Sequence, residues 1–307
     1  MKATKIISAC AVLVALASCS NDLSQPTAED TPIRIQANVG GITTRAAHNL
    51  LTSFGKDDAI NVYITENIPE GGKTSGAKYS PTVYTHDGSQ FNTTTPQYFP
   101  SNGNGIDVWA VYPSTVTESS SNTYFTIESD QTNNDKYKKS DLMFASKLTN
   151  QKKGNGNTIN LSFTHQLSKI IVKLEKETGV DGNLSGAVIK LTDVVMKTPL
   201  TVSDAGITLG DLNAVSGDKG ALTIGTYDAT NGAAAIVIPQ STSSMKFKVT
   251  LANGGSYTAD LPDSTPKFET NKEYTFTLRL KANGISVSAE INPWSEEDKG
   301  THDATLD

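Results

Sequence analysis

The chain has 307 residues, 36% of them hydrophobic and 19% charged, with a net charge of −6 and a pI near 5.3. That length holds two domains of ordinary size, each burying its own core. The acidic balance excludes nucleic acid as a partner, since phosphates repel such a surface. A composition rich in Thr, Ser, Asn and Gly, with apolar residues in short runs, predicts an all-β protein of many strands joined by polar turns.

The N-terminus reads as an address. Lys2 and Lys5 precede an apolar run from Ile6 to Ala17 that is too short for a stable membrane span, the pattern of a signal peptide over residues 1–18. It ends in Leu16-Ala17-Ser18-Cys19, which resembles a bacterial lipobox, so Cys19 is the expected lipidation site and mature N-terminus. The alternative is an ordinary secretory signal with a stray cysteine. Acyl chains gain about 0.8 kcal/mol per buried methylene, so an acylated Cys19 would hold the chain at the outer membrane. Cys10 falls inside the signal, which leaves the domains beyond it no disulfide to form. Ser20 to Thr31 is a polar tether.

Ile33, Ile35, Ala37 and Val39 alternate with Arg34, Gln36 and Asn38, the period-2 pattern of a strand with one buried face. Behind it Gly40-Gly41-Ile42-Thr43-Thr44 leads to a single Arg45-Ala46 bond in a segment open to a trypsin-like, arginine-specific protease. The strand therefore reads as removable, unless Arg45 is a linker arginine that is never cut. Further strands are expected at Ile60–Ile64, Val83-Tyr84, Gln90–Asn92, Ile106–Tyr112, Tyr124–Ile127, Asp141–Ala145 and Leu161–Phe163. Asp57-Asp58 reads as a solvated turn, and Glu128 to Ser140 as a polar run. A domain boundary is expected near His165, giving units over residues 46–165 and 166–307.

In the second half strands are predicted at Lys169–Leu174, Ala187–Leu191, Val194–Met196, Ile207–Leu209, Ala221–Ile224, Ala234–Ile238 and Met245–Leu251. Asn253-Gly254-Gly255 and Asn283-Gly284 mark two hairpins. The second joins Tyr274–Leu280 to Ile285–Ile291, and a polar tail follows Trp294.

The lipobox at Cys19, the strand before Arg45-Ala46, Val108-Trp109-Ala110-Val111-Tyr112-Pro113, Asp141-Leu142-Met143, Leu161 through Lys169 and Ile291-Asn292-Pro293-Trp294 together resemble the fimbrillin family of Bacteroidota, subunits of type V pili. The resemblance implies two transthyretin-like β-sandwich domains. It also implies export as a lipoprotein whose residues 19–45 form a propeptide, cleavage at Arg45 by an arginine-specific protease, and Ala46 as the new N-terminus. Loss of the first strand would open a groove for a strand from another subunit. Ile285, Val287, Ala289 and Ile291 have the spacing of a donor strand. They equally fit the last strand of their own domain, and the tail beyond Trp294 is a third source. The resulting partners are other fimbrial subunits, the membrane through lipid, the protease and a surface ligand on a host or bacterium. Anchor and tip subunits, or a lipoprotein binding a glycan or protein, remain alternatives to a stalk subunit.

No enzymatic chemistry is expected. His48, His86, His165 and His302 are scattered, no thiol remains for nucleophilic attack, and neither a P-loop nor a Gly-x-Ser-x-Gly or His-Glu-x-x-His motif occurs. Asp130, Asn133, Asn134 and Asp135 lack the glycine and distal glutamate of a calcium loop. No metal or cofactor is implied.

Overall fold

The structure is a computed structural model, and it describes residues 32–40, 53–68, 78–212, 219–225, 227, 232–282 and 284–294. The strands of the first half are β1 (Arg34–Val39), β2 (Ala59–Asn67), β3 (Thr82–His86), β4 (Phe91–Asn92), β5 (Gly105–Tyr112), β6 (Ser119–Thr126), β7 (Met143–Gln151) and β8 (Thr158–His165), with a short helix α1 (Asn134–Lys139) before β7. The second half holds β9 (Ser168–Lys176), β10 (Val188–Val195), β11 (Lys197–Ser203), β12 (Gly206–Leu209), β13 (Lys219–Ile224), β14 (Ala233–Val237), β15 (Lys246–Thr250), β16 (Ser256–Asp260), β17 (Lys272–Lys281) and β18 (Gly284–Pro293). The protein is all-β, as its composition predicts.

Seven strands form one sheet in the order β1-β8-β7-β5-β2-β3-β4, curled until β1 and β4 lie side by side. Its concave face buries Ile60, Val62, Ile106, Val108, Leu161 and Phe163 around Phe54, whose ring meets Phe91, Tyr112 and Phe163 edge-on at 5.1, 5.8 and 5.3 Å. Two four-stranded sheets, β14-β9-β17-β18 and β13-β10-β15-β16, enclose a second core in which Phe247 meets Phe276 at 5.0 Å. Tyr63, Trp109 and Phe144 on the outer face of the first sheet join this same cluster, and Tyr63 and Trp109 stack at 3.9 Å. Sheet β12-β11-β6 spans the two halves, because β6 pairs antiparallel with β11.

Four local readings need correction. Ala187–Leu191 and Val194–Met196 belong to one strand, β10, interrupted by a bulge at which Asp193 takes a φ of 58°. Strand β11 was hidden by Pro199, although Thr198, Leu200 and Val202 are buried in alternation. The run from Glu128 to Ser140 contains α1: the Asn133 side chain accepts from Lys136 N at 3.0 Å, and Tyr137 is the buried residue that seats it. Asp58 is not solvated. It is buried, accepts from Gly55 N at 2.7 Å and Lys138 Nζ at 2.8 Å, and faces the Tyr112 hydroxyl at 3.4 Å.

Candidate functional site

Strand β1 occupies an edge. It pairs in parallel with β8, from Arg34 opposite Thr158 to Val39 opposite Phe163. The alternation seen in the sequence sets its faces: Ile33 and Ile35 are each 2% exposed, Ala37 and Val39 pack half-buried on the same core, and Arg34, Gln36 and Asn38 point outward. At its start Ile33 N donates to Gln97 O at 2.8 Å beside an antiparallel bridge between Pro32 and Tyr98, and at its end Gly40 N donates to Phe163 O at 2.9 Å, prolonging the β8 ladder. The Tyr84 hydroxyl reaches Ile33 O at 3.5 Å, and burial pushes its pKa up to about 12.

From Arg34 to Val39 the other edge of β1 has no ladder partner among the described residues. Two open clefts, of about 260 and 400 Å³, lie between β1 and the turn around β4, where Gln36, Ala37, Gln90 and Phe91 face one another. The strand is therefore bound by one hydrogen-bonded edge and by side chains beneath it. Burying a large aliphatic side chain is worth about 1.5–3 kcal/mol, so Ile33 and Ile35 with partial burial of Ala37 and Val39 give roughly 5–8 kcal/mol, an upper bound. Removing β1 would uncover the backbone edge of β8 and the apolar groove over Phe91, Leu161 and Phe163.

Strand β18 pairs with β17 over its whole length, from Lys281 opposite Gly284 to Lys272 opposite Pro293. Ile285, Val287 and Ala289 are half-buried against the second core, and Ile291 is 47% exposed. In this structure β18 is thus the last strand of its own sheet, with its outer edge unpaired by any ladder among the described residues. Cys19, Arg45, Ala46 and the tail beyond Trp294 lie outside the described residues.

Beyond β18, Trp294 donates its N–H to Asn271 O at 2.9 Å and stacks on His165 at 3.7 Å. His165 Nδ1 in turn bonds Asp141 Oδ1 at 2.9 Å, with both residues buried. Nearby Lys169 donates to Glu273 in a buried ion pair. The sequence marked His165 as a hydrogen-bonded structural residue and Asp141 only within a family-like motif, and the ion pair was missed. The available signal was a lysine beginning the otherwise apolar run Lys169-Ile170-Ile171-Val172. Asp130, whose surroundings lack the pattern of a calcium loop, is salt-bridged to Lys136 at 2.8 Å. No group of three or more His, Cys, Asp or Glu residues suited to a metal occurs among the described residues.

The fimbrillin-like family model matches residues 44–294, beginning after β1 and ending at Trp294. The chain is 26% identical over 98% of its length, and 98% of the relative's, to "Putative fimbrium subunit Fim1C" of Bacteroides uniformis. The crystal structure of a "putative cell adhesion protein" from Bacteroides uniformis superimposes with a TM-score of 0.64 at 21% identity, covering 88% of this chain and all of that one. A second, from Bacteroides ovatus, gives 0.63 at 19% identity over 88% of this chain and 99% of the other. At those identities the two structures establish a shared fold.

Proposed function

Because the chain belongs to the fimbrillin-like family, we propose that it is a structural subunit of a surface fimbrium that polymerises by strand replacement and supports adhesion. It is exported as a lipoprotein through Cys19, held at the outer membrane as a precursor, cut between Arg45 and Ala46, and then extruded into an extracellular filament. The observation that carries this reading is the seating of β1: an edge strand, laddered on one side only among the described residues, that fills an apolar groove with Ile33 and Ile35. The full-length likeness to a protein named as a fimbrium subunit supports the same role.

The groove left by β1 needs an extended, alternating segment, and β18 with Ile285, Val287, Ala289 and Ile291 has that pattern. To donate, it must first leave β17. Residues 19–45 act as a built-in placeholder, and residues 46–165 and 166–307 as the two domains of the mature subunit.

Mass spectrometry of protein sheared from the cell surface tests this reading. The expected chain begins at Ala46, whereas an acylated chain beginning at Cys19 would leave an anchor, a tip or an independent lipoprotein. The Arg45→Ala variant is expected to fold and to form no filaments.

A further inference from the structure

The polar cluster beneath Trp294 has a composition that the assembly reading does not use. Lys169, at the start of β9, lies directly opposite Glu273 at the start of β17, in register in the parallel ladder, and donates to the Glu273 carboxylate. The two side chains are 3% and 9% exposed. Two further groups complete the surroundings. Asp141 is fully buried and, with Oδ1 bonded to His165, has no hydrogen-bond partner at Oδ2 among the described residues. The Tyr137 hydroxyl, carried in by α1, is also buried without a partner. Buried polar atoms left unpaired are uncommon and costly, so two of them, on residues electrostatically coupled to one buried ion pair, call for an explanation.

We infer that this cluster is an autocatalytic cross-linking site, in which Lys169 and Glu273 condense to an amide that joins β9 to β17. The Lys169 Nζ attacks Glu273 Cδ, forming one N–C bond. One Cδ–O bond breaks, two of the three ammonium hydrogens leave with that oxygen as water, and the third remains on the amide nitrogen. An ammonium and a carboxylate thus become an amide and water, with no oxidant, reductant or other reactant needed.

Each neighbour has a role in that step. Burial lowers the Lys169 pKa against the opposing pull of Glu273 and Asp141, which favours the neutral amine that must attack. Asp141, with its free Oδ2, is the acceptor for the proton lost by the amine and its donor to the departing oxygen. The Tyr137 pKa is raised well above its usual value, by burial first and then by the charges of Asp141 and Glu273. Its hydroxyl therefore stays protonated, available to the developing oxyanion. His165, gripped between Asp141 and Trp294, is a positioning residue for the acceptor.

Two physical arguments favour the product. Holding amine and carboxyl in contact in a dry site corresponds to effective concentrations of about 10⁵ M or more, far beyond those at which free partners meet. Condensation also removes two desolvated charges, the main cost of a buried ion pair. The bond would tie together two parallel neighbouring strands of the second core, a useful brace in a subunit that bears load. It forms within one chain and is independent of how subunits join.

Tryptic peptide mapping of the full-length protein purified from cells tests the inference. A linked species is expected, Gly154–Lys173 joined to Glu273–Arg279, about 18 Da lighter than the sum of the two, the mass of one water. It is expected to vanish in Lys169→Arg and to fall at least about tenfold in occupancy in Asp141→Asn, in line with the loss of one acid–base group. Recovery of cleaved Gly154–Lys169 and of Glu273–Arg279 as separate peptides from the wild-type protein would overturn the proposal, with no variant required to fold. Undiminished linkage in a folded Asp141→Asn protein would overturn the role assigned to Asp141.

Discussion

Asp58 has three polar neighbours, and one of them, Lys138, comes from α1, 80 positions along the chain. Breaking a buried pair costs more than the pair contributes, because the remaining charge loses its partner. Asp58→Ala is expected to lower stability by about 2–3 kcal/mol, less than for a fully buried pair because Lys138 keeps a quarter of its surface exposed. A urea denaturation midpoint checks it, and an unchanged midpoint would contradict it. The sequence showed Gly55-Lys56-Asp57-Asp58, which by composition is a turn, and Asp57 with φ 70° is indeed a turn residue. That its neighbour is buried depends on Lys138 and Tyr112, and no local pattern carries that. Gln131 and Gln240 are similar cases. Gln131 bonds both the N–H and the carbonyl of Ile236, at 2.8 and 2.9 Å, and Gln240 does the same to Val195, at 2.8 and 3.1 Å. Each amide completes a strand edge as a neighbouring backbone would. Gln240→Leu is expected to cost about 2 kcal/mol or more by leaving three backbone groups unpaired, those of Val195 and the carbonyl of Ile238, measured by the same denaturation.

Among elements, legibility followed period. Strand β1 was plain because its apolar residues, with Ile33 just before it, alternate without interruption, and the same holds for β15 and β18. Strand β11 carries the same alternation, but a central proline argues against a strand, and only pairing with β6 and β12 outweighs it. Helix α1 has one buried side chain in a run of lysines and polar residues, too little for a helical period to register. Strand β1 was legible as a strand with one buried face, whereas its open second edge along β4 follows from the curl of a sheet and was not. Truncating Ile35 to alanine in the precursor is expected to cost about 2–4 kcal/mol, since the side chain is buried among rigid neighbours. Hydrogen exchange is expected to localise the loosening to β1 and β8. Val287→Asp, at a half-buried position of β18, is expected to leave the precursor folded and to slow assembly at least about tenfold if β18 is the donor. Unaltered filament growth would move the donor to the tail.

At the scale of the whole molecule the exposed carboxylates set the response to acid. Hydrogen bonds from Gln90 and Ser89 backbone N–H groups lower Asp87, and lysine partners lower Asp130 to about 2 and also lower Asp204 and Glu269. Each therefore binds protons less readily folded than unfolded. Their contribution is fully present above the ordinary carboxylate range and is lost as the pH falls through the lowered values. Stability is expected to hold level from neutral pH to about pH 5 and to decline below about pH 4. A rise in the urea midpoint on acidification would contradict that reading. Because these groups face water, the decline is expected to be gradual.

At the same scale, under the proposed function, removal of one edge strand makes the subunit adhesive to copies of itself. The direct measurement is the molar mass, by light scattering, of purified precursor before and after cleavage at Arg45. The intact chain is expected to be a monomer, and the chain beginning at Ala46 is expected to grow into oligomers that survive SDS without heating. A cleaved chain that remains a folded monomer after its N-terminal segment has been removed would contradict the account.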